Sequence, residues 1–166
     1  MDYDEQLTKS SIETPYFSLD GITTYGKVVN VLDGDTLVLV IPVLNKYFKF
    51  NCRLKNIDTC EIHSTNIKIK ELGMKAKYRV IDIISKHKLN CEVEISKKDI
   101  SDIFNSTCSI VYVKCYNFDK YGRLLVDVYL NKNEKSLSSI LIDEKLAYFY
   151  DGKTKMTEEK QLELLY

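Results

Sequence analysis

The chain has 166 residues with 24 basic and 24 acidic side chains, so its formal net charge at neutral pH is zero. This length predicts one compact domain with a short extension, and a hydrophobic content of 45% excludes a disordered chain. No apolar run reaches the roughly 18 residues that a membrane-spanning helix needs, so we expect no membrane partner.

The charges are unevenly distributed along the sequence. Residues 1–20 contain five acidic side chains and one lysine, a net charge of −4, which leaves 23 basic and 19 acidic side chains, a net charge of +4, in residues 21–166. We therefore predict an acidic flexible tail over 1–20 and a mildly basic domain over 21–166. A basic domain is compatible with a nucleic-acid partner, although the total charge of zero argues against one.

Two features favour an intracellular protein, either cytoplasmic or nuclear. The first residues lack the apolar core and the small-residue cleavage site of a signal peptide. The five cysteines are odd in number, have no CxxC spacing and lie in part in apolar strand-like runs, which favours buried, reduced thiols. Because the chain has only two histidines, we expect no zinc site of the usual Cys/His spacing.

The first half of the domain predicts three strands. Residues 25–32 and 36–41 are rich in β-branched side chains and flank an Asp-Gly-Asp sequence at 33–35, which predicts a hairpin. Polar and apolar side chains alternate over 47–57, which predicts a half-buried strand with Arg53 on its polar face.

The second half mixes helical and extended patterns. The polar stretch 96–107 is compatible with a short helix or with an inserted loop. The remaining predictions are a helix over 69–89, strands over 91–95, 110–116 and 123–130, a turn at 119–122, and helices over 136–147 and after Thr157. The overall order β-β-β-α-β-β-α-α predicts an α+β fold, namely a five-stranded OB-type Greek-key β-barrel with about three appended helices.

Charged residues cluster near the ends of these strands in a combination that suits phosphodiester hydrolysis. Arg53 and Arg123 lie on polar strand faces, and acidic residues stand at 33–35 and at Asp58 and Glu61. Guanidinium groups bind phosphate through paired hydrogen bonds, hard divalent cations take oxygen ligands, and a further carboxylate can accept a proton from water. Each residue alone has an ordinary structural explanation as a turn, surface or loop residue. A phosphate-binding site and a solvated surface are therefore about equally compatible with these residues.

Five motifs, in order over roughly residues 25–150, resemble those of the staphylococcal nuclease (thermonuclease) family. The segment from Arg53 to Glu61, Arg-Leu-Lys-Asn-Ile-Asp-Thr-Cys-Glu, is similar to that family's Arg-x-x-x-x-Asp-Thr-Pro-Glu, with Cys60 in place of the proline. The others are Val-Leu-Asp-Gly-Asp-Thr at 31–36, Gly-Met-Lys-Ala at 73–76, Asp-Lys-Tyr-Gly-Arg-Leu-Leu at 119–125 and Leu-Ala-Tyr at 146–148.

The resemblance implies a calcium-dependent nuclease that hydrolyses phosphodiester bonds of DNA, RNA or both. It implies a preference for single strands and products with 3′-phosphates. We also expect the protein to be a monomer. One Ca²⁺ would be held by the carboxylates of Asp35 and Asp58 and by the backbone carbonyl of Thr59.

The resemblance also assigns roles to the remaining site residues. Glu61 would position or deprotonate the attacking water. Arg53 and Arg123 would bind the scissile phosphate and stabilise its transition-state charge. Lys120 and Tyr121 would contact a neighbouring phosphate of the substrate.

The alternative is a non-catalytic OB-type module that binds single-stranded nucleic acid or a protein partner. Modules of this kind in the family typically lose the acidic and arginine positions, and this sequence retains all five, which favours the nuclease: Asp35, Arg53, Asp58, Glu61 and Arg123. Four tyrosines leave both base stacking and barrel surface packing open: Tyr25, Tyr112, Tyr116 and Tyr129.

Overall fold

The computed structural model describes residues 4–5, 7–89 and 95–166. Five strands form a closed barrel: β1 (Thr23–Val31), β2 (Thr36–Val43), β3 (Lys46–Leu54), β5 (Ile110–Phe118) and β6 (Leu124–Tyr129). Outside the barrel, two short strands pair in antiparallel fashion: β4 (Ile57–Asp58) and β7 (Tyr148–Phe149).

The barrel strands follow the order β1-β2-β3-β6-β5, and β5 closes the barrel by pairing with β1. The predicted β1–β2 hairpin is antiparallel, and so is the pair β5–β6 on either side of the predicted turn at 119–122. The strands β3 and β6 instead run parallel, with Arg53 opposite Leu125. The five-stranded OB-type barrel predicted from the sequence is therefore confirmed.

Alternation of apolar and polar residues places the core inside the barrel. The strand β6 buries Leu124, Val126 and Val128 and leaves the residues between them partly exposed. The strand β3 departs from this rule: its last three residues are all buried, and its first half is largely exposed because it pairs with β2 alone. Phe48, predicted on the apolar face, is accordingly 46% exposed.

Within the described residues, four α-helices accompany the barrel: α1 (Ile67–Ser85), α2 (Lys97–Ser106), α3 (Leu137–Asp143) and α4 (Glu158–Leu165). The sequence predicts about three, and α2 is the additional one, in the stretch that is compatible with either a helix or a loop. Ser96 and Asp99 form a reciprocal capping box at its start. The strand predicted over 91–95 lies outside the described residues, apart from Ile95.

The helix α1 is shorter at its end than the predicted 69–89. It begins after Asn66, whose side chain accepts a hydrogen bond from the backbone of Lys68, and it ends before Lys86, which is left-handed with φ of 57°. No helix in the described ranges is both long enough and apolar enough to cross a membrane.

The start of the chain touches the barrel near Leu19. This side chain is buried in the core, and the backbone N–H of Gly21 donates to the carbonyl of Cys115. The division into a flexible tail over 1–20 and a domain over 21–166 stays a prediction. Among the cysteines that the structure describes, Cys52, Cys60 and Cys115 are buried and Cys108 is exposed, and all four are free thiols.

Candidate active site

One groove at one end of the barrel contains all the residues predicted for the site, with a volume of about 880 Å³. Four segments build it: the β1–β2 turn, the end of β3 with the residues after β4, the β5–β6 turn, and the stretch between β7 and α4. The loops between the first two and the last two strands are common ligand sites of OB barrels. The eight predicted residues in the groove are Asp35, Arg53, Asp58, Thr59, Glu61, Lys120, Tyr121 and Arg123.

Arg53 lies at the centre of this groove and is only 8% exposed. Its Nη1 donates to Asp35 Oδ1 at 2.5 Å, and its Nη2 donates to Asp58 Oδ1 at 2.6 Å and to the carbonyl of Ile57 at 3.3 Å. A buried charge is tolerated only when it is paired and hydrogen-bonded. One guanidinium therefore joins two carboxylates that come from separate segments of the chain.

Further hydrogen bonds fix the two carboxylates. Asp35 accepts from Thr36 Oγ1 at 3.0 Å and from the backbone N–H of Thr59 at 3.2 Å. Asp58 Oδ2 accepts from the hydroxyl of Tyr148 at 2.7 Å. Both carboxylates are thus oriented before any ligand arrives.

The electrostatics of the two carboxyls differ. Burial, followed by the charge of Asp33, raises the pKa of Asp35 to about 8, although Arg53 acts to lower it. Burial also acts to raise the pKa of Asp58, but hydrogen bonds from Tyr148 and Arg53 outweigh it, and that pKa is lowered. Burial is the main reason that negative charge on Asp35 is disfavoured, and a cation bound beside this carboxyl would favour its ionised form.

Two glycines allow the site segments to approach each other closely. A Cβ atom on Gly73 of α1 would overlap the carbonyl oxygen of Cys60. A Cβ atom on Gly34 would lie 2.7 Å from Cβ of Ala76 and 3.0 Å from Cγ2 of Thr59. The Gly-Met-Lys-Ala motif at 73–76 thus brings α1 against both the β1–β2 turn and the segment that carries Asp58 and Glu61.

Cys60 stands where the resemblance leads us to expect proline. Its side chain is 2% exposed and lies in a small apolar cluster with Ile69 and Leu72 of α1 and with Tyr148 and Leu165. Burial of a cysteine side chain gives the backbone a fixed position through packing. The residue before Glu61 is therefore anchored, although it lacks the rigid ring of proline.

In the β5–β6 turn, hydrogen bonds to Asp119 hold Arg123 in position. Asp119 accepts backbone hydrogen bonds from Tyr121 and Arg123 at 2.9 Å each, and its Oδ2 accepts from Arg123 Nε at 2.8 Å. In the described part of the chain, no acceptor is hydrogen-bonded to the two Nη atoms of Arg123. These atoms form a fork that suits a phosphate.

Lys155 is a site residue that the sequence reasoning missed. Its Nζ lies 3.0 Å from Glu61 Oε1 and 3.3 Å from Asp58 Oδ2. Burial opposes its charge, but the hydrogen bond to Glu61 and the charge of Asp58 outweigh burial, and the pKa of Lys155 lies above its ordinary value. No local signal marks this lysine, because the contact joins residues far apart in sequence.

Three aromatic contacts border the groove. The ring centre of Tyr150 lies 5.8 Å from Arg53 Cζ, within cation–π distance. The ring centre of Tyr121 lies 5.1 Å from Lys120 Nζ and 5.4 Å from Arg123 Cζ. Tyr121 is largely exposed, so the predicted substrate-binding pair Lys120 and Tyr121 lies at the rim of the groove.

The residues predicted to bind metal offer oxygen donors only. Asp35 and Asp58 supply carboxylates, and Thr59 supplies a carbonyl next to the N–H that donates to Asp35. Within the described ranges, no group of three or more His, Cys, Asp or Glu side chains is placed to hold one ion, so the carbonyl and water would have to complete the coordination. This donor set fits a hard cation such as Ca²⁺.

Comparison with known proteins agrees with this architecture. The family model described as "Staphylococcal nuclease homologue" matches residues 51–166. The chain is also 29% identical over 142 residues to the uncharacterized protein MJ1439 of Methanocaldococcus jannaschii, and the match covers 76% of this chain and 57% of that relative. The chain therefore spans little more than half the length of this relative. By the family match, which covers most of its residues, this chain belongs to the staphylococcal nuclease homologue family.

Proposed function

We propose that this protein is a calcium-dependent nuclease that hydrolyses phosphodiester bonds of single-stranded DNA or RNA and leaves 3′-phosphates. One observation carries the proposal: two arginines, a glutamate and two buried carboxylates from separate segments face one groove. Family membership adds support, because four of the five residues fall within the matched segment, 51–166, and only Asp35 precedes it.

The two arginines would bind the scissile phosphate. Arg123 offers both Nη atoms, since Asp119 engages only its Nε and its backbone N–H. Arg53 uses its Nη atoms on Asp35 and Asp58, and among the described residues no acceptor is hydrogen-bonded to its Nε. Guanidinium groups stabilise charge that develops on phosphoryl oxygens, and here Arg123 would do so through its two Nη atoms and Arg53 through Nε.

Glu61 would act as the base toward the attacking water. Its carboxylate is 65% exposed at the groove and is oriented by the ammonium of Lys155. A carboxylate at such a position can orient water and accept its proton. Asp35, Asp58 and the carbonyl of Thr59 would hold one Ca²⁺, which when bound neutralises charge and polarises the phosphoryl group.

A preference for single strands is consistent with the rim of the groove. Tyr121 and Tyr150 present rings on which unpaired bases can stack, and bases in a duplex are already stacked on each other. Lys120 would contact the neighbouring phosphate. We propose that the protein acts on such strands as a monomer.

The test is hydrolysis of heat-denatured DNA and of RNA with Ca²⁺, compared with the same reaction in excess chelator. The proposal expects cleavage only with Ca²⁺, and it expects Glu61→Gln to lower the rate by about 10²-fold or more. A matched control is Glu163→Gln in α4, which should cleave at the wild-type rate. Calcium-independent binding that Glu61→Gln leaves intact, with no cleavage by the wild type, would identify a non-catalytic binding module instead.

A further inference from the structure

We propose that a tyrosine–lysine strip on the outer face of β1, β5 and β6 binds single-stranded nucleic acid that extends beyond the groove. The strip comprises Tyr25, Tyr112, Tyr116, Tyr129, Lys55, Lys114 and Lys132. The proposal rests on the proposed function for the class of ligand, but it concerns binding and needs no catalysis.

The tyrosines form a row across three strands. Tyr25 of β1 is directly opposite Tyr112 of β5, which is directly opposite Tyr129 of β6. Their ring centres are 5.5 Å and 6.3 Å apart. The row faces outward, because the neighbouring residues Val111 and Val113 point into the core. Outward-facing aromatic rings on OB-type barrels are suited to stack with bases of any sequence.

Lysines lie directly beside these rings. Lys55 Nζ is 3.6 Å and Lys114 Nζ is 5.4 Å from the ring centre of Tyr116, and Lys132 Nζ is 5.6 Å from that of Tyr112. Mixed aromatic and cationic surfaces bind bases and phosphates together.

Acidic side chains also approach the strip. Asp127 accepts a hydrogen bond from the hydroxyl of Tyr116 at 2.6 Å, and the charge of Asp20 is among the smaller causes that raise the pKa of Tyr116. The three lysines outnumber these two carboxylates, and the carboxylate of Asp127 is engaged by Tyr116. The balance of charge on this face therefore favours a polyanion.

The strip is continuous with the groove along β6. Leu125 lines the groove and is opposite Arg53, and it shares the outward face of β6 with Asp127 and Tyr129. Tyr129 lies four residues after Leu125 along the strand, a distance of about 13 Å. A single-stranded nucleic acid bound in the groove would therefore reach the tyrosine row within a few nucleotides.

Packing alone also brings cross-strand tyrosines together, and such pairs stabilise sheets. The test must therefore separate binding from folding. Replacement by leucine keeps apolar packing volume but removes the ring, and replacement of lysine by glutamine removes the charge alone.

The experiment measures binding of fluorescent thymidylate and uridylate oligomers, a trimer and a twelve-mer of each, in chelator so that no cleavage intervenes. The variants are Tyr25→Leu with Tyr129→Leu, and separately Lys114→Gln with Lys132→Gln. The control is Tyr47→Leu with Lys49→Gln on the β2–β3 hairpin, where Tyr47 is 78% exposed. Melting temperatures verify that each variant is folded.

We expect the tyrosine variant to weaken binding of the twelve-mer about tenfold or more and to leave the trimer unchanged. The lysine variant should reduce the slope of log K against log salt by about 0.7 for each phosphate that the protein no longer neutralises. Wild-type affinity and salt slope for the twelve-mer in both variants would overturn the proposal.

Two further outcomes separate this proposal from the proposed function. Loss of twelve-mer binding in a protein that cleaves nothing supports the strip and refutes the nuclease. If the wild-type protein cleaves but the strip variants bind the twelve-mer with wild-type affinity, the result supports the nuclease and refutes the strip.

Discussion

Lys155 donates from Nζ to Glu61 Oε1 at 3.0 Å, although 94 residues separate the two in sequence. The same ammonium lies 3.3 Å from Asp58 Oδ2. It thus stands between the proposed base and a proposed metal ligand. A cation bound by Asp58 must share the negative charge of this carboxylate with Lys155.

Replacement of Lys155 by methionine should therefore strengthen calcium binding. Methionine keeps most of the length of the side chain but lacks the charge that competes with the ion. We expect the calcium dissociation constant, measured by titration calorimetry, to fall severalfold. Lys153→Met is the control, since Lys153 is largely exposed and lies near Asp151 instead. An unchanged or weaker calcium affinity in Lys155→Met contradicts this interpretation.

Arg53 and Arg123 should differ in what they do for folding. Arg53→Ala leaves two buried carboxylates without their partner, and removal of one member of a buried ion pair costs about 3–5 kcal/mol. Arg123→Ala removes a partly exposed pair with Asp119, for which a loss of about 1 kcal/mol or less is expected. Urea unfolding without calcium measures both, with the surface arginine Arg79→Ala as reference. Equal losses in the free energy of unfolding for Arg53→Ala and Arg123→Ala would refute this distinction.

Gly73 should be sensitive even to alanine. Alanine normally favours a helix by about 1 kcal/mol over glycine, but a Cβ here would overlap the carbonyl oxygen of Cys60. We expect Gly73→Ala to lower the free energy of unfolding by about 1–3 kcal/mol and to reduce cleavage by displacing Glu61. The exposed neighbour in the same helix, Lys75→Ala, serves as control. A stabilised and fully active Gly73→Ala variant would show that the segment carrying Cys60 and Glu61 does not depend on this contact.

Asp119 predicts a pH dependence on the acid side. Burial acts to raise its pKa, but hydrogen bonds from the N–H groups of Arg123 and Tyr121 and from Arg123 Nε outweigh it, so the pKa lies below its ordinary value. A lowered carboxyl pKa adds stability above the unfolded-state value, and this stability is lost as the pH falls through the folded-state pKa. The melting-temperature difference between wild type and Asp119→Asn should be constant near neutral pH and shrink below about pH 4. A melting-temperature difference that grows as the pH falls would contradict this prediction.

Local patterns are sufficient to predict the barrel and to place the two arginines and the acidic residues near strand ends, whereas the roles of the site residues come from the family resemblance. The Asp-Gly-Asp sequence at 33–35 and the glycine at 122, with φ of 77°, mark the two turns that end in site residues. Strict alternation places Arg53 and Arg123 on faces opposite the core. Turn chemistry and side-chain period are properties of neighbouring residues, so they can be read before the fold is known.

Contacts between distant segments cannot be predicted in the same way. The parallel pairing of β3 with β6 and the position of Lys155 both depend on how the whole chain closes. The polar sequence of α2 does not distinguish a helix from a loop, although the spacing of Ser96 and Asp99 is a capping signal for a helix. Arg53 alone predicts a solvated surface residue, and only the two carboxylates brought to it explain why it is buried.

The most direct test of the proposed nuclease is the single-turnover cleavage rate of a labelled single-stranded oligonucleotide with saturating Ca²⁺. We predict cleavage by the wild type to products with 3′-phosphates, and a rate at least about 10²-fold lower for Arg123→Ala, whose melting temperature should lie within about 4 °C of the wild-type value. Absence of calcium-dependent cleavage by the folded wild-type protein, or a wild-type rate in Arg123→Ala, would contradict it.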